Sequence, residues 1–277
     1  YAVHQRTLSD VNRTQSNLYD LQNQISSGFK TDRFSGLNGQ VEQFVQLEAK
    51  IRKTNIYIEN NGVALSRLNT TQTTLDKIIE LADQMEDLIT LRRNPAAKNM
   101  NFSLQMDNLR FNVASMLNTN FDGRYIFGGT RTNVPPVIDD PIPDSVSIGT
   151  PDDIYYQGSP ENPILRTQDN QDIEYGVLAN DPGFQKIFAA ALLSMKGDAN
   201  SSDDVLEDAM ALMQEGIQDI ITAKARVDSD IVAIQNINGR HSDLKLYWQG
   251  VSEDIINTDM VAASTSVAVD QAVLQAS

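Results

Sequence analysis

Residues 206–269 read LEDAMALMQEGIQDIITAKARVDSDIVAIQNINGRHSDLKLYWQGVSEDIINTDMVAASTSVAV. Every seventh position gives Leu206, Met213, Ile220, Val227, Ile234, His241, Trp248, Ile255, Ala262 and Val269. A second line three residues later gives Ala209, Gly216, Ala223, Asp230, Ile237, Leu244, Val251, Thr258, Thr265 and Ala272. An apolar period near 3.5 without an intervening proline predicts one long helix that buries a stripe against partner helices. At the α-helical rise such an element extends about 95 Å.

The partners of that stripe lie upstream. Val11, Leu18 and Ile25, with Leu8 and Leu21, share a helical face that ends at Ser26, Ser27 and Gly28, where glycine suits a left-handed cap. After a turn-rich break, Ile51, Ile58, Leu65, Gln72 and Ile79 repeat by seven, followed by the companion line Leu68, Leu75, Ala82 and Ile89. Asn55, Asn60, Asn61 and Gln72 are polar exceptions, expected to tune register or face water. Asn94 and Pro95 end this helix, and Phe102, Met106, Leu109, Val113, Leu117 and Phe121 predict an antiparallel return closing at Asp122 and Gly123.

Most of the prolines then fall between Pro135 and Pro163, among β-branched and tyrosine runs at Val146–Ile148 and Ile154–Gln157. This composition predicts a small β-rich insertion over residues 131–182. Helix resumes at Gly183–Lys196, and Gly197–Ser202 reads as a loop with Ser202 or Asp203 capping the long helix. The expected fold is therefore mainly α with a β-rich insertion. Its expected divisions are a terminal coiled-coil helix at 1–40, a helical core at 41–130 and 183–245, the insertion at 131–182, and a second terminal helix at 246–277.

A formal charge of −15 disfavours nucleic acid and anionic membrane surfaces, which need clustered Lys and Arg. No apolar run is long enough to span a bilayer, so membrane insertion is not expected. The chain has no cysteine, which removes disulfides and thiolate metal sites. His4 and His241 stand far apart without a metal-binding companion motif, and no phosphate-cradling loop or nucleophile elbow is present. The acidic pairs Asp139-Asp140, Asp152-Asp153 and Asp203-Asp204 do not continue into a calcium loop. Neither a catalytic residue nor a cofactor nor a metal ligand is expected. Trp248, beside Tyr247, suits either a core or a partner-facing position.

Two motifs remain. LYDLQNQISSGFK (residues 18–30) contains Ile25, Ser26, Ser27 and Gly28; GRYIFGGT (residues 123–130) contains Gly123, Arg124, Tyr125, Phe127, Gly128 and Gly129. The first resembles the N-terminal signature of the bacterial flagellin superfamily, and the second resembles the end of the core helical hairpin in its hook-filament junction branch. The family often places an acidic pair with Pro or Ala after the Ser-Ser-Gly loop, where this chain has Phe34-Ser35-Gly36-Leu37. The resemblance implies a structural, non-enzymatic subunit of the extracellular flagellum, exported unfolded without a cleaved signal peptide. The implied partners are copies of itself in a ring, the adjacent hook-associated protein, flagellin and an export chaperone.

Flagellin itself is the alternative within the superfamily, and a spectrin-like helical adaptor is the alternative outside it. A terminal helix of Val, Ala, Thr, Ser and Gln has little area to bury alone, so the ends are expected to order on assembly. The expected assembly residues are Val11, Leu18, Ile25, Trp248, Ile255, Ala262 and Val269.

Overall fold

The structure, a computed structural model, describes residues 2–31, 37, 39–94, 96, 100–138 and 151–276. Its helices are α1 (Ala2–Ser27), α2 (Val41–Arg92), α3 (Phe102–Leu117), α4 (Pro182–Asn200), α5 (Asp203–Ile256) and α6 (Met260–Ala276). Two short hairpins pair β1 (Asn120–Phe121) with β2 (Arg124–Tyr125) and β3 (Ile164–Gln168) with β4 (Gln171–Glu174). The mainly α fold with a small β insertion is the architecture read from the sequence.

The chain forms two compact units: one is Tyr57–Gly239, and the other joins Tyr1–Ile56 to Arg240–Ser277. The α2 and α5 helices contribute residues to both. In the central unit, α2 buries the companion line Leu68, Leu75, Ala82 and Ile89, whereas Leu65, Gln72 and Ile79 are only half-buried. Phe102, Met106, Val113 and Leu117 of α3 join them, as do Phe184, Ile187 and Phe188 of α4. From α5 come Leu206, Met213, Ile220, Val227 and Ile234, the seven-residue line from which the helix was inferred.

Gly216 explains an otherwise weak point on the companion line. A Cβ at Gly183 would stand 2.7 Å from Ile220 Cγ1, and one at Gly216 would stand 3.0 Å from the Gly183 carbonyl. Two residues without side chains thus let the start of α4 touch α5 backbone to backbone. The polar exceptions also have partners: Asn61 Nδ2 donates to Asn238 Oδ1 at 2.8 Å, and Gln72 Nε2 donates to Asp228 Oδ1 at 2.6 Å. Both bonds join α2 to α5. They fix which turn of one helix meets which turn of the other.

Several expectations are corrected. The long helix does not run unbroken to Val269, because α5 ends at Ile256 and α6 starts at Met260. Phe121 is not on α3, which stops at Leu117; Asp122 and Gly123 take φ of 51° and 74° and turn β1 back into β2. Positive φ at both central residues gives the tight hairpin an Asp-Gly pair favours. Gly197 lies inside α4, whose left-handed cap comes later, at Ser201.

Ile154–Gln157 is a turn with a single bridge, Val137 to Tyr156, rather than a strand. The Ile154 amide donates to Asp152 Oδ1 at 3.3 Å and the Tyr156 amide to the Asp153 carbonyl at 2.8 Å. Local acceptors thereby take the backbone donors that a ladder would use. Val146–Ile148, Asp139-Asp140 and Phe34–Gly36 lie outside the described residues.

Candidate assembly site at the paired termini

The α1 helix packs along α6. Val11, Leu18, Leu21 and Ile25 are half-buried on its inward stripe, and the facing stripe of α6 carries buried Ala263 with half-buried Val267 and Leu274. This register comes from positions three and four apart on both helices, which share one face.

What holds the pair in place is the Ser-Ser-Gly segment. Gly28, at φ 78°, turns the chain out of α1 so that Phe29 forms an antiparallel bridge with Asn257. The Lys30 amide donates to the Ile256 carbonyl at 2.7 Å, and the Thr258 amide donates to the Gly28 carbonyl at 2.8 Å. Lys30 Nζ adds a bond of 2.6 Å to the Asp254 carbonyl. Thr258 Oγ1 also lies 3.2 Å from Gln24 Oε1, within hydrogen-bonding distance.

The helix break is therefore a designed joint, whose open backbone groups pair with the end of α1. Asp259 Oδ1 accepts from the Val261 and Ala262 amides, both at 3.0 Å, and so caps α6. The seven-residue period continued across 257–259 and concealed the joint. The signal that could have found it is the Thr-Asp pair immediately before the Ala/Ser/Thr run.

The expected assembly residues separate into three settings. Val11, Leu18 and Ile25 face α6 within the chain. Trp248 and Ile255 belong instead to a small cluster with Leu37, Phe44 and Leu47, so α2, not α1, receives that part of α5. Lys50 Nζ stands 5.7 Å from the centre of the Trp248 ring, and Ser252 Oγ donates to Glu48 Oε1 at 3.0 Å. Ala262 and Val269 are on the outer side of α6, where Val261 is 78% and Val269 56% exposed. Leu244 also departs from expectation, since it is exposed with Leu246 and Tyr247, while His241 is buried.

The second motif lies in the central unit and is a hub of backbone bonds. The buried Phe127 ring meets Phe184 edge-on at 6.3 Å, while its carbonyl accepts from the Ala179 amide at 2.9 Å. Gly128 O accepts from Ser159 N at 3.0 Å, and Thr130 N donates to Glu161 O at 3.0 Å. A Cβ at Gly129 would fall 2.5 Å from the Ser159 carbonyl, and one at Gly128 2.6 Å from the Arg131 carbonyl. The paired glycines are thus the positions where the insertion's backbone approaches too closely for any side chain. Tyr155 docks the insertion from its other side, its ring 4.8 Å from Phe188 and its hydroxyl donating to the Ala179 carbonyl at 2.8 Å.

No group of three or more acidic or histidine side chains that could hold a metal occurs among the described residues, and no described helix is long and apolar enough to cross a membrane.

Residues 1–132, which include α1, α2, α3 and the GRYIFGGT hub, match the family model of the bacterial flagellin N-terminal helical region. This part of the chain is flagellin-like. The fold of the chain is shared with a chain from Vibrio parahaemolyticus assigned as a flagellar hook-associated protein. That pair has a TM-score of 0.59 at 16% identity, covering 77% of this chain and 96% of the other. It is shared also with Bacillus cereus FlgL, at a TM-score of 0.60 and 15% identity, covering 76% of this chain and 99% of that one. No curated protein matches the chain in sequence.

Proposed function

We propose that the chain is a structural subunit of the bacterial flagellum, a hook-associated junction protein that links hook to filament through coiled-coil assembly of its terminal helices. The observation that carries this reading is the two-sidedness of α6. One face packs on α1, and the opposite face, with Val261, Ala262 and Val269, is apolar and exposed. A helix of this composition gains stability when that second face is covered, and neighbouring copies bring the matching helices.

On this reading residues 1–40 and 246–277 form the assembly arm, the helical regions 41–130 and 183–245 form the body, and the insertion at 131–182 faces outward. Val11, Leu18 and Ile25 hold the arm together, whereas Ala262 and Val269 face the next copy, the adjacent hook-associated protein or flagellin. Export occurs in an unfolded state with the help of a chaperone, and the working location is extracellular. Likeness of fold to a flagellar hook-associated protein and to FlgL supports the junction role over the filament role.

Deletion of the gene in its host tests the reading. The expected result is a hook without a filament and filament monomers released to the medium. Extension of filament seeds by the purified chain would instead assign it as flagellin.

A further inference from the structure

The GRYIFGGT hub borders a cleft of about 260 Å³ in the central unit, walled by Arg67 and Thr71 of α2, Arg124 and Tyr125 of β2, and Ile164 and Tyr175 of the insertion. Its size is below the roughly 300–1,000 Å³ of drug-like sites, and suits one inserted side chain. Its chemistry is cationic in a chain of net charge −15. Arg67 Nε is buried with no hydrogen-bond partner, and the remaining contact of that guanidinium is a long 3.5 Å bond from Nη1 to the Tyr175 hydroxyl. Arg124 is exposed and makes no ion pair among the described residues. The exposed Arg124 guanidinium, beside Arg67 at one cleft, presents the forked donors that a carboxylate satisfies.

The complementary surface is on the same helix. Glu80, Asp83 and Asp87 stand at i, i+3 and i+7 on the exposed side of α2, and none has an ion-pair partner among the described residues. Like charges at this spacing disfavour one another. Partial burial, and after it Glu86 and Asp87, raise the Asp83 carboxyl above its ordinary range. Arg67 and this stripe are 13 to 20 residues apart on one helix, or about 20–30 Å at the helical rise, so a copy cannot satisfy its own Arg67 with them.

We propose that the cleft receives a carboxylate from the Glu80–Asp83–Asp87 stripe of a second copy of the chain. Cleft and stripe are different patches, so the contact is head-to-tail and repeats from copy to copy, as a ring requires. The inference rests on the reading of the chain as a self-assembling subunit, and adds a contact in the body of the subunit to the one between its terminal helices.

Because the chain lacks cysteine, directed disulfides test the pairing in the full-length protein. Full-length T130C, at the cleft rim, and D87C, on the stripe, are mixed at high concentration and oxidised. The mixed adduct is expected several-fold above either homodimer. It should fall to the homodimer level when T130C carries R124E, and return when D83R is added to D87C. A mixed yield no greater than the homodimers, or one indifferent to R124E, overturns the proposal. A parallel A262C sample reports association through α6. Adducts there with none at the cleft would overturn the cleft pairing alone and leave the terminal-helix reading standing.

Discussion

The Thr258 amide donates to the Gly28 carbonyl at 2.8 Å, joining two residues 230 positions apart, one closing α1 and the other preceding α6. This bond and its neighbours convert a break in the helical period into the anchor of the terminal pair. The Ser-Ser-Gly signature accordingly serves geometry: glycine at positive φ aims Phe29 and Lys30 at the joint, and Ser27 Oγ bonds back to the Asn23 carbonyl.

Asp259→Ala removes the acceptor shared by the first amides of α6 and should lower the stability of that helix by about 1 kcal/mol. Amide hydrogen exchange is expected to quicken over Met260–Ala276 while the central unit is unchanged. Equal protection in the variant would mean that packing on α1, not the cap, defines the start of α6.

The two classes of motif glycine should behave differently. Nothing stands within 4 Å of a Cβ at Gly28, so Gly28→Ala carries only the cost of a left-handed backbone, about 1 kcal/mol. At Gly129 the same substitution adds collision with two carbonyls at 2.5 and 2.6 Å, and should cost roughly 3 kcal/mol or more. Denaturant midpoints of the two variants check the order, and equal losses would show that the backbone around Ser159 and Glu161 gives way.

The contrast between these glycines shows what the sequence makes legible. Helical lines such as Leu206 to His241 are visible because each residue repeats a physical requirement every two turns. The Asn257–Asp259 joint is not, because Ile255, Ala262 and Val269 keep the period while the backbone between them changes course. Likewise GRYIFGGT is recognisable as a motif, yet its need for glycine at 129 arises from Ser159 and Glu161, which spacing alone does not place beside it. The unpartnered Nε of Arg67 belongs to the same class, since burial of one atom depends on the surrounding fold and not on the periodicity of α2.

Asp181 gives a pH dependence. Burial raises its carboxyl above the ordinary carboxylate range, while Arg226, 3.5 Å away, and the Leu178 backbone act in the opposite direction. A raised value in the folded state means that the folded chain binds more protons, so this contribution to stability is fully present below the unfolded value and is lost as pH rises through the folded one. Asp181→Asn should therefore flatten the fall in melting temperature from about pH 4 upward. A steeper fall in the variant would show that the Arg226 pair outweighs burial.

Trp248 supplies an optical test of whether the two units unfold together. It is the only tryptophan, and it sits in the small cluster with Leu37, Leu47 and Ile255, whereas the central unit holds the large core from Ala64 to Ile234. Local stability follows buried apolar contact, so the unit containing both termini should open first. In a urea titration the tryptophan emission is expected to shift at lower denaturant than the bulk of the helical circular dichroism. Lys50→Ala, which removes the ammonium 5.7 Å from the ring, should move the emission midpoint further down and leave the main dichroism transition in place. Coincident transitions in both proteins would instead make the chain a single cooperative unit, with α2 and α5 transmitting stability along their whole length.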